Sequence, residues 1–189
     1  MVKFKINNSK FKYEHVYLLS KSNDKASVIS NEKDITPSLL RDFSAPVHLE
    51  TDFKINEYIH ILKYDNDPFN KWDAAQNLYL NCYLKKFNLN IFIKTLRELI
   101  LKSNIDYSLM ALILELPSRN IFENLSNDVD PILIFNGKMN LMKTISLGLQ
   151  EVLESNALKL YNSGIQNIKS SGERSLLEKL LKYLILVQS

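Results

Sequence analysis

Hydrophobic residues alternate with polar ones at period two through the first 50 residues, then recur at a period near 3.6 from about Asn56 to the end. Val2, Phe4 and Ile6 fall on one side of an extended segment, and "FKYEHVYLLS", "ASVIS" and "APVHLE" repeat the habit around polar turns such as "KSNDK". These segments predict short antiparallel strands. Pro46 disfavours helix at Ala45 and suits an edge or first position of a strand. Three or four short strands cannot cover both faces of a sheet, so residues 1–52 predict part of an antiparallel β-sandwich.

The helical part opens with a short helix carrying Tyr58, Ile59 and Leu62. In "DNDPFNKWDAAQNLYLN" Asp67 is a preferred N-cap and Pro68 stands at N1, where its missing N–H costs nothing. Phe69, Trp72, Ala75, Leu78, Tyr79 and Cys82 then recur at spacings of three and four, one apolar stripe on one helix. Trp72 reads as a packing anchor, because large aromatics at helical spacing chiefly supply buried area. A third helix carries Ile91, Phe92, Thr95, Leu96, Leu99 and Ile100, and Asp106 caps a fourth, "YSLMALILEL", that Pro117 ends. Ser118 is placed to cap the short "RNIFENL" turn. Asp130-Pro131 repeats the cap-and-proline start and opens a helix reaching roughly Tyr161, with a bend expected near Gly148. Gly164 and Gly172 punctuate before "ERSLLEKLLKYLILV". Helices joined by short connections over residues 53–189 predict a bundle or an α-solenoid, although no strict period of residue identities marks a named repeat. By content the chain is α+β.

Composition narrows the function classes. The 189 residues are 46% hydrophobic and 24% charged, as in ordinary globular chains, and the formal charge is only +3. The first 50 residues hold 8 basic and 6 acidic side chains and the rest hold 16 and 15, so neither part carries the basic footprint of a nucleic-acid binder. Lys3, Lys5, Lys10 and Lys12 alternate with apolar residues, as the solvated face of a strand does. Cys82 is the only cysteine, which excludes an internal disulfide, and its place on the apolar stripe suggests a buried, reduced thiol. No apolar run approaches a membrane span and "MVKFKINNSK" lacks the apolar centre of a signal peptide, so no membrane contact and a cytoplasmic location are expected.

Candidate chemistry is sparse. The histidines are His15, His48 and His60, and no H-E-x-x-H, glycine-rich phosphate loop, C-x-x-C pair or G-x-S-x-G elbow occurs. Glu57 and His60 lie three apart on a helix, but a dimetal bundle site needs that pattern twice, and a surface pair is the better reading. Asp73, beside Trp72, is a general-acid candidate in name, yet a carboxylate in the second turn first serves the helix dipole. His48 reads as solvent-facing or as an interdomain hydrogen-bond partner.

The strings "LLRDFSAPVHLE" and "DNDPFNKWDAAQNLYLN" resemble the junction between the β-sandwich and the C-terminal helical domain of the bacterial-type aminopeptidase N family, zinc-dependent alanyl aminopeptidases. The resemblance continues through "DYSLMALILELPSRNIFE", "DVDPILIF" and "LKLYN" to the last helix, and so spans nearly the whole chain. It implies that Phe43 through Val47 form a sandwich strand and that Trp72, Asp73 and Gln76 seat the first solenoid helices against it; Phe43, Pro46, Trp72, Asp73 and Gln76 are the implied structural junction. It also implies that the zinc ligands and the general-base glutamate belong to a separate thermolysin-like domain, leaving this chain with no catalytic residue, no metal ligand and no cofactor of its own. The helical domain of that family is longer than residues 53–189, so the solenoid here is expected to be incomplete. The partner expected on this reading is the catalytic portion of such an enzyme, and apolar ends are expected to promote self-association. The alternative is a stand-alone helical protein-interaction module derived from the peptidase.

Overall fold

The computed structural model describes residues 2–7, 12–18, 21, 25, 27, 35–47, 49–102, 104, 106–125, 130–166 and 170–188. Two compact units follow one another, Met1–Ala75 and Gln76–Ser189.

In the first unit β1 (Val2–Asn7), β2 (Lys12–Tyr17) and β3 (Thr36–Ser38) form one antiparallel sheet in the order β2-β1-β3. The β1–β2 hairpin pairs Val2 with Tyr17 and Asn7 with Lys12, and β3 pairs Ile6 with Pro37. Pro37 is tolerable there because β3 lies at an edge, where a missing N–H breaks no ladder. The period-two reading located the hairpin but not β3. Of "ASVIS", Ala26 and residues 28–30 lie outside the described residues. A single sheet is present among the described residues, and a second sheet facing it, which a sandwich requires, is not among them.

The described residues of "APVHLE", 45–47, 49 and 50, are not in a strand, and Phe43 through Val47 do not pair with any other segment among the described residues. The chain instead makes a 3-10 turn at Arg41–Phe43, with Leu40, Asp42 and Phe43 at φ of 50°, 54° and 49°. Left-handed backbone costs a non-glycine residue roughly 1–2 kcal/mol. Period-two patterning could not anticipate it, because what holds the turn is a contact with residues far along the chain.

Helix α1 (Ile55–Tyr64) packs on β3 through a face containing Tyr58, Ile61 and Leu62, all buried. Helix α2 (Pro68–Tyr83) begins in the first unit and ends in the second. The second unit continues with α3 (Leu89–Ile100), α4 (Tyr107–Ile113), α5 (Arg119–Glu123), α6 (Pro131–Gln166) and α7 (Ser171–Gln188). There α6 packs on α3, α5 and α7, while α7 also packs on α4. Phe92, Leu96, Leu114, Ile145, Leu149, Leu153 and Leu180 fill the core between them.

Local signals explain most helix starts. Asp106 Oδ1 accepts from the Leu109 amide at 3.0 Å, and Asp130 Oδ1 accepts from Ile132 and Leu133 at 2.8 and 3.2 Å. Ser170 and Glu173 exchange bonds as a capping box at the start of α7. Ser118 occupies the N-cap of α5, but its side chain makes no cap bond. Helix α4 stops at Ile113, short of Pro117, and α6 runs beyond Tyr161 to Gln166 as one helix. Gly148 therefore marks no break. A Cβ there would meet Ile93 Cδ1 and Cγ2 at 2.9 Å, and its carbonyl accepts from Arg97 Nη2 at 2.8 Å, so the glycine permits close approach of α3 to α6.

Candidate functional site: a buried polar junction

The most concentrated polar chemistry of the first unit lies between residues 38–42 and 65–70. Arg41 is buried, and its Nη1 donates to Ser38 Oγ at 2.8 Å and to Asp65 Oδ1 at 3.1 Å, while Nη2 donates to Asn66 Oδ1 at 2.8 Å. Asp65 Oδ1 also accepts from the Asp67 amide at 2.9 Å, and Asn70 Nδ2 donates to Ser38 Oγ at 2.9 Å. Asp67, only 1% exposed, divides its carboxylate between two amides: Oδ1 takes Asn70 N at 2.9 Å, and Oδ2 takes Asp42 N at 2.8 Å. The first of these is the N-cap bond that the Asp-Pro pair predicts. The second reaches 25 residues back and fixes the left-handed turn.

Burying an arginine is costly unless its donors are met, and here the partners converge from both strings. Among the described residues no buried side-chain nitrogen or oxygen lacks a hydrogen-bond partner. Satisfied polar networks of this kind specify geometry; they leave no donor aimed at an outside ligand.

Of the residues expected at the junction, Phe43, Pro46, Trp72 and Asp73 lie in the first unit and Gln76 in the second. Phe43 is exposed, and its ring meets Phe69 edge-on at 5.2 Å. Pro46 is exposed in irregular chain. Trp72 is half-buried, not fully buried, and its ring lies 5.8 Å from Phe69. Asp73 is half-buried, and burial raises its carboxyl above the usual range. Gln76 belongs to the second unit, where its side-chain amide donates to the Glu115 carbonyl at 2.9 Å and ties α2 to the turn after α4. Residues Arg41, Asp65 and Asn70 complete the junction and were not legible as such; only the Asp67-Pro68 cap gave a signal.

The remaining candidates have local employment. Glu57 Oε2 accepts from the Lys54 amide at 2.8 Å, closing the first turn of α1, and His60 stacks near Tyr64 at 5.1 Å. His48 lies outside the described residues. Cys82 is buried, and burial pushes its thiol up to about 12. Among the described residues no three His, Cys, Asp or Glu side chains gather in a way that could hold a metal ion. No described helix is long and apolar enough to cross a membrane.

In the second unit the Tyr79 and Tyr183 hydroxyls lie 3.4 Å apart, and Tyr183 Oη donates to the Leu114 carbonyl at 2.8 Å. That carbonyl ends α4 and would otherwise be an orphan acceptor in the core. Desolvation raises both phenols above the usual range, which keeps them neutral donors.

Comparison with known proteins supplies a frame for these features. Residues 55–189 match a family model described as a domain of unknown function (DUF3458_C), ARM repeats. The chain is 32% identical over 142 residues to aminopeptidase N of Escherichia coli (strain K12), a match covering 69% of this chain and 16% of that protein. It is 49% identical over 43 residues to aminopeptidase N of Haemophilus influenzae, covering 23% of this chain and 5% of that protein. The crystal structure of Legionella pneumophila aminopeptidase A in complex with aspartic acid is similar in fold, with a TM-score of 0.80 at 18% identity, over 99% of this chain and 24% of that one. The chain thus spans less than a fifth of the length of these curated relatives.

Proposed function

This chain belongs to the DUF3458_C ARM-repeat family, and on that premise we propose that it is a non-catalytic, structural part of an aminopeptidase N-like zinc peptidase. Its role is to wall the chamber in which amino-terminal residues are removed from peptides. The observation that carries this reading is the 32% identity to aminopeptidase N over 69% of the chain. The polar junction supports it too, because its donors and acceptors are spent on one another and hold a fixed backbone. On this reading the three-stranded sheet is part of a β-sandwich, the partner is the portion carrying the zinc helix, and both work in the cytoplasm.

Co-expression with an aminopeptidase N catalytic portion that lacks this region tests the proposal. Co-elution on size exclusion is expected, together with hydrolysis of an alanyl chromogenic substrate that neither chain performs alone. Chelator-sensitive turnover by this chain alone, surviving repurification, would overturn it. So would separate elution of the two chains.

A further inference from the structure

The helical unit contains a cavity of about 270 Å³ between the end of α4 and helices α6 and α7. Its walls include Leu114, Ile134, Met139 and Met142, a lining that accepts aliphatic chains, and the thioethers can adjust to their shape. The rim is cationic: Arg119, Lys138, Lys179 and Lys182 stand against a single lining carboxylate, Glu115. Two of these cations are compensated, Arg119 by Glu123 and Lys179 by Glu115. Lys138 and Lys182 make no close ion pair among the described residues, although Glu115, already paired with Lys179, attracts Lys138. Lys138 Nζ donates to the Pro117 carbonyl at 2.7 Å and lies 4.8 Å from the Phe122 ring centroid, so it is steered to the rim by neutral groups. Burial, with repulsion from Lys182 and against a smaller attraction from Glu115, holds Lys138 below the usual lysine range. An arriving anion would meet two positive charges that repel each other.

We propose that this cavity binds a small unbranched carboxylate, its alkyl tail between Met139 and Met142 and its head group between Lys138 and Lys182. The volume is small for a ligand site, where roughly 300–1,000 Å³ is usual, and suits one short chain better than a folded or extended polypeptide segment. Charge complementarity selects the head group: a neutral alcohol of equal length fills the same apolar space without answering the lysines. This site is independent of the peptidase reading.

Methionine-methyl labelling tests it on the full chain, since the sequence has 4 methionines and Met139 and Met142 line the cavity while Met110 does not. At neutral pH, titration with octanoate is expected to shift the Met139 and Met142 resonances saturably and to leave Met110 in place. Acetate, without the tail, should lose more than about tenfold, since each buried methylene contributes roughly fourfold. Octanol, without the charge, should bind more weakly by about fivefold, the upper end of one surface charge pair. Lys182 is exposed, so Lys182→Glu should weaken octanoate by a similar factor with an unchanged melting temperature. Lys182→Gln should lie between. Unmoved Met139 and Met142 methyls, equal binding of octanol and octanoate, or wild-type octanoate affinity in Lys182→Glu would each overturn the assignment.

Discussion

Asp67 illustrates how much one carboxylate can settle. It caps α2 through Asn70 N and, with its other oxygen, holds the Asp42 amide of a turn that its own residues disfavour. Asp67→Ala should therefore cost more than an ordinary cap: about 2–3 kcal/mol, from the lost cap bond and an amide left without its partner. Asp67→Asn keeps one acceptor and should lose about 1 kcal/mol. Urea unfolding measures both, and a wild-type midpoint for Asp67→Asn would show that the second bond contributes nothing. The cap itself was legible because Asp-Pro before an apolar stripe is a local signal. Its second bond was not, since nothing within a few residues of Asp67 or Asp42 encodes a partner 25 positions away. The same limit explains Trp72: helical spacing put it on the apolar stripe, but only packing decides that Tyr79 becomes fully buried on that stripe while Trp72 stays partly open.

Among the elements, α2 shows both how helix ends are written in sequence and where they are compromised. The Lys86 amide donates to Asn81 O at 2.9 Å and the Lys85 amide to Cys82 O at 3.0 Å, a Schellman closure that places Lys85 in the left-handed region at φ 56°. Glycine is the usual occupant. Lys85→Gly should raise stability by roughly 0.5–1 kcal/mol, the relief of left-handed strain less the favourable charge at the helix end. Lys85→Val should move the urea midpoint the other way at unchanged slope. Long periodic helices were legible from spacing alone, including α6 and α7. The end of α4 was misplaced because Pro117 bounds a helix without forcing it to continue that far. Gly148 suggested a bend from sequence, whereas Ile93 across α3 accounts for its small side chain.

At the scale of the molecule, the boundary between two compact units falls within α2. Cys82 reports on the second of them: with its thiol buried and pushed up to about 12, it should resist iodoacetamide at neutral pH until Gln76–Ser189 opens. Labelling against urea concentration should then trace unfolding of that unit, and rapid alkylation of the native chain would contradict the burial. The helical character of residues 53–189 was legible because periodicity accumulates over many turns. The sheet beyond its hairpin was not, since β3 is only 3 residues long and leaves little pattern to read. The Arg41 guanidinium, gripping Ser38, Asp65 and Asn66 together, also bears on how such chains can be recombined. A chimera of two relatives with its crossover anywhere from residue 43 to 64 draws Arg41 and Ser38 from one parent and Asp65 and Asn66 from the other. Hybrids whose parents differ at these positions should be less stable than either parent, so residues 38–42 and 65–70 are best exchanged together despite the helix between them.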